Sequence, residues 1–146
     1  MEDKLAKYME IVDAIAKLSK DQSTQVGALI LGPSFEVRSV GYNGAPRGCS
    51  ADEDERGVTR PEKYFWFSHA DLNAITNAAR VGTPLGGCTL IVTHPPCMDC
   101  ARAIVQAGII EVVTRMPAPE FLERWSDHTR RTKHLFEECY VKYEWL

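Results

Sequence analysis

The chain has no apolar run approaching the roughly 20 residues that a membrane-spanning helix needs. Its first 18 residues are charged and amphipathic, without the continuous apolar stretch of a secretory leader, so the cytosol is the expected compartment. A basic excess is also missing. Lys plus Arg number 17 against 20 Asp plus Glu, for a net charge of −3 over 146 residues. Binders of polynucleotides carry a basic stripe, and the densest basic cluster here, Arg130, Arg131 and Lys133, falls on an expected surface helix. Cysteines are few and odd in number, five in all, which does not suit a disulfide framework. No repeat, linker or low-complexity segment divides the chain, so a single domain over 1–146 is expected. What remains is 45% apolar and 25% charged, ordinary for a globular protein, at a length that buries roughly two-thirds of the unfolded surface.

Hydrophobic spacing predicts the order α-β-β-α-β-α-β-α-β. Helices are expected over 3–19, 69–81, 98–107 and 120–136, the last with Pro119 near its start. Strands are expected over 26–32, 35–42, 88–94, 111–115 and 139–145, with 43–67 as a long loop. The first two strands are hairpin neighbours. The last three are separated by helices and should run parallel, because parallel neighbours need a crossover. The expected fold is α/β, a three-layer α-β-α arrangement around a five-stranded mixed sheet. Cys88 and Cys139 read as buried strand thiols, and His128 and His134 as surface residues on the last helix.

The chemistry concentrates in two short stretches, His69-Ala70-Asp71 and Pro96-Cys97-Met98-Asp99-Cys100. Imidazole and two thiolates suit zinc, and three protein ligands leave a fourth position for water, the pattern of a catalytic site. Each stretch opens an expected helix, so two positive dipole ends meet where thiolates and hydroxide are favoured. Asp71, two residues after the histidine, can act as general base and then general acid. Alternatively, Ser68-x-x-Asp71 reads as a helix capping box, with the carboxylate spent on a backbone N–H. His94, just before Pro95-Pro96, lies near the metal loop. H-x-E followed by P-C-x-x-C marks zinc-dependent nucleobase deaminases; this chain carries H-x-D.

At these residues the chain resembles the deoxycytidylate (dCMP) deaminases of the cytidine deaminase superfamily. The likeness extends to Ser19-Lys20-Asp21-Gln22-Ser23-Thr24-Gln25-Val26-Gly27-Ala28, to Gly41-Tyr42-Asn43-Gly44-Ala45-Pro46-Arg47-Gly48 and to Gln106-Ala107-Gly108-Ile109. It implies the cytidine deaminase-like fold and Zn²⁺ on His69, Cys97 and Cys100. It also implies hydrolysis of dCMP to dUMP and ammonia by a zinc-bound water. Asp71 stands in the place of the proton-shuttling glutamate. By the same likeness Asn43 would bind the sugar hydroxyl, and Lys20, Ser23, Thr24 and Arg47 the 5′-phosphate. Ala70 and Pro96 would lie against the substrate. From the aromatic run Tyr64, Phe65, Trp66 and Phe67, one or two side chains, Tyr64 first, would wall the base.

Aspartate is one methylene shorter than the family's glutamate, while proton transfer needs heavy atoms about 2.6–3.2 Å apart. Three readings follow. The backbone shifts and activity survives; the chain is an impaired or non-catalytic nucleotide-binding homologue; or a different, modified or purine nucleotide fills the added space. A free nucleotide suits the acidic balance better than tRNA or single-stranded DNA. The resemblance further implies a homo-oligomer with dCTP and dTTP as effectors.

Overall fold

The structure, a computed structural model, describes residues 2–146. One sheet runs in the order β2-β1-β3-β4-β5. Its strands are β1 (Gly27–Leu31), β2 (Val37–Tyr42), β3 (Thr89–Val92), β4 (Glu111–Thr114) and β5 (Lys142–Trp145). β1 is antiparallel to both β2 and β3, and β3, β4 and β5 are mutually parallel. The helices are α1 (Glu2–Ala16), α2 (Glu62–Trp66), α3 (Ala70–Val81), α4 (Met98–Gln106), α5 (Pro119–Arg124) and α6 (Ser126–Glu138). None of the described helices is long and apolar enough to cross a membrane.

β1 reads Gly-Ala-Leu-Ile-Leu, apolar throughout, because both of its faces are covered. Side chains alternate across a strand, so Leu29 and Leu31 pack with Leu5, Met9 and Val12 of α1 on one side. Ala28 and Ile30 face the other way, with Leu90, Val92 and Val112 of the sheet, Ala74 and Ala78 of α3, Ile104 of α4 and Phe136 of α6. These two cores make the three-layer α-β-α sandwich expected from the sequence.

The buried stripe of α3 is alanine, at positions 70, 74 and 78, so the helix approaches the sheet closely. At the contact point stands Gly41, where a methyl group would overlap the Ala70 carbonyl oxygen and the Ala74 backbone nitrogen. Ser39 Oγ donates to the Ala74 carbonyl at 2.6 Å. Gly82 closes α3 in the left-handed conformation, φ 78°, the usual glycine stop. β1 begins where β3 ends, with Ala28 opposite Val92 and Gly27 opposite Tyr42. One edge of the sheet therefore gathers the approach to β1, the exit of β2 and the exit of β3. Ligands of open α/β sheets bind beyond the carboxyl ends of the strands at such a switch point.

Three expectations are corrected. The segment 43–67 is not all loop, since it holds 3₁₀ turns at Ala51–Glu53 and Glu55–Gly57 as well as α2. Elements this short span too few residues to show a period. The last helix is two, broken at Trp125 (φ −110°, ψ 19°) with neither Gly nor Pro to mark the break. Cys139 is exposed at the end of α6 rather than buried in a strand, because β5 starts only at Lys142 after Tyr140 turns through a positive φ of 57°. Cys88 is buried, as expected.

Candidate active site

His69 and Cys97 are the residues immediately before α3 and α4, and Cys100 lies one turn into α4. The two helix starts converge. His69 Nδ1 lies 3.4 Å from Cys97 Sγ and 3.5 Å from Cys100 Sγ, and the three ligand atoms all fall within 4.8 Å of one another. Tetrahedral zinc with bonds of about 2.0–2.3 Å needs nitrogen and sulfur about 3.5 Å apart. The donors present meet that requirement in kind and in spacing. Hydrogen bonds from Cys100 and His69 draw the Cys97 thiol down to about 4. Its hydrogen bond to Cys97, and burial, hold the Cys100 thiol well above its usual value. Cys97 in turn raises His69, against the opposing effect of burial.

Asp71 is buried in the first turn of α3. Burial raises its carboxyl above the usual range, the Cys100 thiol pulls against this, and the charge of Cys97 reinforces it. The capping box does not form. His69 is the N-cap residue, with no side-chain cap, and Ser68 instead exchanges backbone hydrogen bonds with Gly44 at 2.8 and 3.1 Å. Asp71 Oδ1 accepts from the neighbouring Leu72 N–H at 3.2 Å.

A cavity of about 390 Å³ opens over these residues, within the usual range of roughly 300–1,000 Å³ for ligand pockets. Of the residues singled out in the sequence, it gathers His69, Ala70, Asp71, Pro96 and Cys97 with Asn43, Thr24, Tyr64, Phe67 and His94. Cys100 sits buried behind them. Lys20, Ser23 and Arg47 stay outside. Lys20 points to Asp52 and Glu53 at 3.7 and 3.8 Å, and Arg47 donates to Asn77 at 2.7 Å. Ser23 is exposed on the turn, where its N–H donates to Asp21. Phe65 faces solvent, and the guanidinium of Arg56 lies over Trp66 at 4.5 Å. Asn43 is buried and committed. Its Oδ1 accepts from the Val26 N–H at 2.8 Å, and its Nδ2 donates to Asp21 at 3.1 Å and to the Thr24 carbonyl at 2.9 Å.

Comparison with known proteins agrees with this geometry. The family model for the cytidine and deoxycytidylate deaminase zinc-binding region matches residues 2–116. The chain belongs to this deaminase family. An uncharacterized deaminase from the luxG 3′ region of Aliivibrio fischeri is 40% identical over 142 residues, covering 96% of this chain and 91% of that protein. Human deoxycytidylate deaminase is 40% identical over 110 residues, 73% of this chain and 61% of the human protein, so the match spans under two-thirds of that relative. The dCMP deaminase of cyanophage S-TIM5, solved with dCMP and dUMP, superposes with a TM-score of 0.81 at 26% identity, covering 100% of this chain and 98% of that one. The fold is thus cytidine deaminase-like, the metal is zinc, and His69, Cys97 and Cys100 are the group that fits it.

Several lining residues of this deaminase were not legible in the sequence. Lys63 of α2 is buried and reaches Asp21 at 2.7 Å, with the two side chains 9% and 2% exposed. His128, expected at the surface, lines the cavity and accepts from the Met98 N–H at the start of α4 at 3.0 Å. Thr132 Oγ1 donates to the Pro96 carbonyl at 3.2 Å, so α6 holds the cysteine loop from behind. His94, Phe121, Trp125 and His128 form a chain of ring contacts along the same wall. Phe121, Trp125 and His128 follow a 4-then-3 spacing, a helical signal that was present. The rim residues Arg60 and Arg124 also line the cavity, and nothing periodic marks either.

Proposed function

We propose that the chain hydrolyses the 4-amino group of deoxycytidine 5′-monophosphate, giving deoxyuridine 5′-monophosphate and ammonia. The observation that carries this reading is the buried Asp71 carboxyl beside the His69–Cys97–Cys100 group, on the floor of a cavity of nucleotide size. The full-length likeness to a phage enzyme solved with dCMP and dUMP supports it. When held by His69, Cys97 and Cys100, zinc supplies acidification of a water, toward a pKa of about 7.

Asp71 moves the protons. One carboxylate oxygen takes a proton from the attacking water and passes it to N3 of the pyrimidine while the water oxygen bonds to C4. Asp71 then carries the second water proton to the amino nitrogen. The C4–N bond breaks, ammonia leaves, and Asp71 returns to its starting form. Burial, by raising the carboxyl, makes Asp71 a stronger acceptor of the water's proton. Phe67 and Val26 offer apolar walls to the base, and Asn43, held by Val26, Asp21 and Thr24, keeps its position as one side of the sugar site.

The test is zinc analysis together with ammonia release from dCMP, dCTP, CMP and purine nucleotides. The expected result is about one zinc per chain, with dCMP preferred. Asp71→Asn should keep the metal and lose roughly 10²- to 10⁴-fold in rate, while Asp71→Glu should turn over. A zinc-loaded wild type that releases ammonia from none of them, and gains activity only as Asp71→Glu, would replace this reading with a non-catalytic nucleotide binder.

A further inference from the structure

Arg60, Tyr64 and Arg124 meet at the mouth of the cavity from separate stretches of chain. Arg60 precedes α2, Tyr64 lies within it, and Arg124 is the last residue of α5. Arg124 Nη2 donates to Tyr64 Oη at 3.1 Å. The guanidinium of Arg60 lies 5.8 Å from the centre of the Tyr64 ring, and that of Arg124 lies 5.7 Å from the Trp125 ring. All three side chains line the same cavity as His69 and Asp71.

Six of the eight other arginines are neutralised, and Arg47 donates to Asn77 instead. Arg38, Arg56, Arg102, Arg115, Arg130 and Arg131 each meet a carboxylate. Among the described residues no ion pair involves Arg60 or Arg124, although Glu120 lines the same mouth. Two cations that share one tyrosine repel each other until an anion joins them. Burial alone would push the Tyr64 hydroxyl up, yet hydrogen bonds from Arg124 and Arg60 hold it below its ordinary value, as a site of positive potential should. Guanidinium forks match the oxygens of a phosphate monoester. A pyrimidine ring at the metal floor would direct its far end toward this mouth.

The geometry points to Arg60, Tyr64 and Arg124 as the subsite for the 5′-phosphate of a nucleotide, with the two arginines binding the oxygens and Tyr64 holding Arg124 in place. This rests on the nucleotide reading above. Of the four residues that the sequence offered for the role, it takes the place of Lys20, Ser23 and Arg47, while Thr24 lines the cavity. Arg124 lies beyond the residues 2–116 that match the family model, so half of the cationic pair comes from the C-terminal segment.

Titration calorimetry of dUMP and of deoxyuridine on the zinc-loaded protein tests the assignment. The wild type should bind dUMP more tightly than deoxyuridine. Arg60→Ala and Arg124→Ala should each weaken dUMP roughly 10- to 100-fold, as expected for a lost charged hydrogen bond, with a much smaller shift for deoxyuridine. Lys20→Ala and Arg47→Ala should retain the wild-type preference. Unchanged dUMP affinity in both rim variants, or a loss in the Lys20 and Arg47 variants instead, overturns the subsite. If the wild type deaminates dCMP while the rim variants bind dUMP normally, the subsite fails and the deaminase reading stands. If dUMP binds through the two arginines but no ammonia is released from dCMP, the subsite stands and the deaminase reading fails. A wild type that binds neither ligand rejects both.

Discussion

The cavity has two polar sides built on opposite principles. On the side of Asp21, Asn43 and Lys63, partners are abundant. Asp21 accepts from the Ser23 and Thr24 N–H groups, from Asn43 and from Lys63, and Ser19 Oγ donates to the Asn43 carbonyl at 2.8 Å. The charges there cancel and are buried. At the mouth, Arg60 and Arg124 share Tyr64, and among the described residues neither is in an ion pair. On the first side, the scaffold side, the polar capacity is largely spent within the protein; on the second, two guanidinium groups stand beside the single carboxylate of Glu120, with charge left for an anion to join. A polar residue in this pocket therefore declares its use by whether its capacity is already spent.

Damage to the scaffold side should read out as lost folding stability, and damage to the mouth should not. The largest effect is expected for Lys63→Met, which leaves a buried aspartate unpaired. Chemical denaturation should show a loss of about 3–5 kcal/mol. Asn43→Ala strands the Val26 N–H and one bond to Asp21, and should cost about 1–3 kcal/mol by the same measurement. Arg60→Ala and Arg124→Ala should stay within about 0.5 kcal/mol of wild type, as surface changes do, while failing in dUMP binding. A mouth variant that unfolds as readily as Lys63→Met, or a Lys63→Met protein as stable as wild type, would erase the distinction.

The metal end was legible because its signal is local. His69, Cys97 and Cys100 sit at fixed offsets beside Pro96 and at helix starts, and β1 announces its two covered faces by being apolar at every position. The scaffold side was not legible because its pairs are distant in sequence. Lys20 is adjacent to Asp21 yet turns to Asp52 and Glu53, while Lys63, 42 residues away, takes the aspartate. Nothing in the identity of two lysines distinguishes them before the chain folds. Arg124 and Tyr64 are 60 residues apart, and Arg124 ends α5 at a break that neither Gly nor Pro marks. His128 read as surface because the buried face of α6 is carried by Thr129, Thr132 and Phe136, and its neighbour in the fold, the Met98 N–H, is supplied by another helix.

Gly41 touches no ligand and carries no chemistry, yet it sets the height of the floor. With only a hydrogen between β2 and the backbone of α3, the helix that presents both the His69 imidazole and the Asp71 carboxyl rests directly on the sheet. Any larger residue there would act as a wedge under a hinged plate, lifting His69 and Asp71 together and away from the two sulfurs, which ride on a different helix. The alignment of reactive groups in this protein thus depends as much on one missing methyl as on any group that is present.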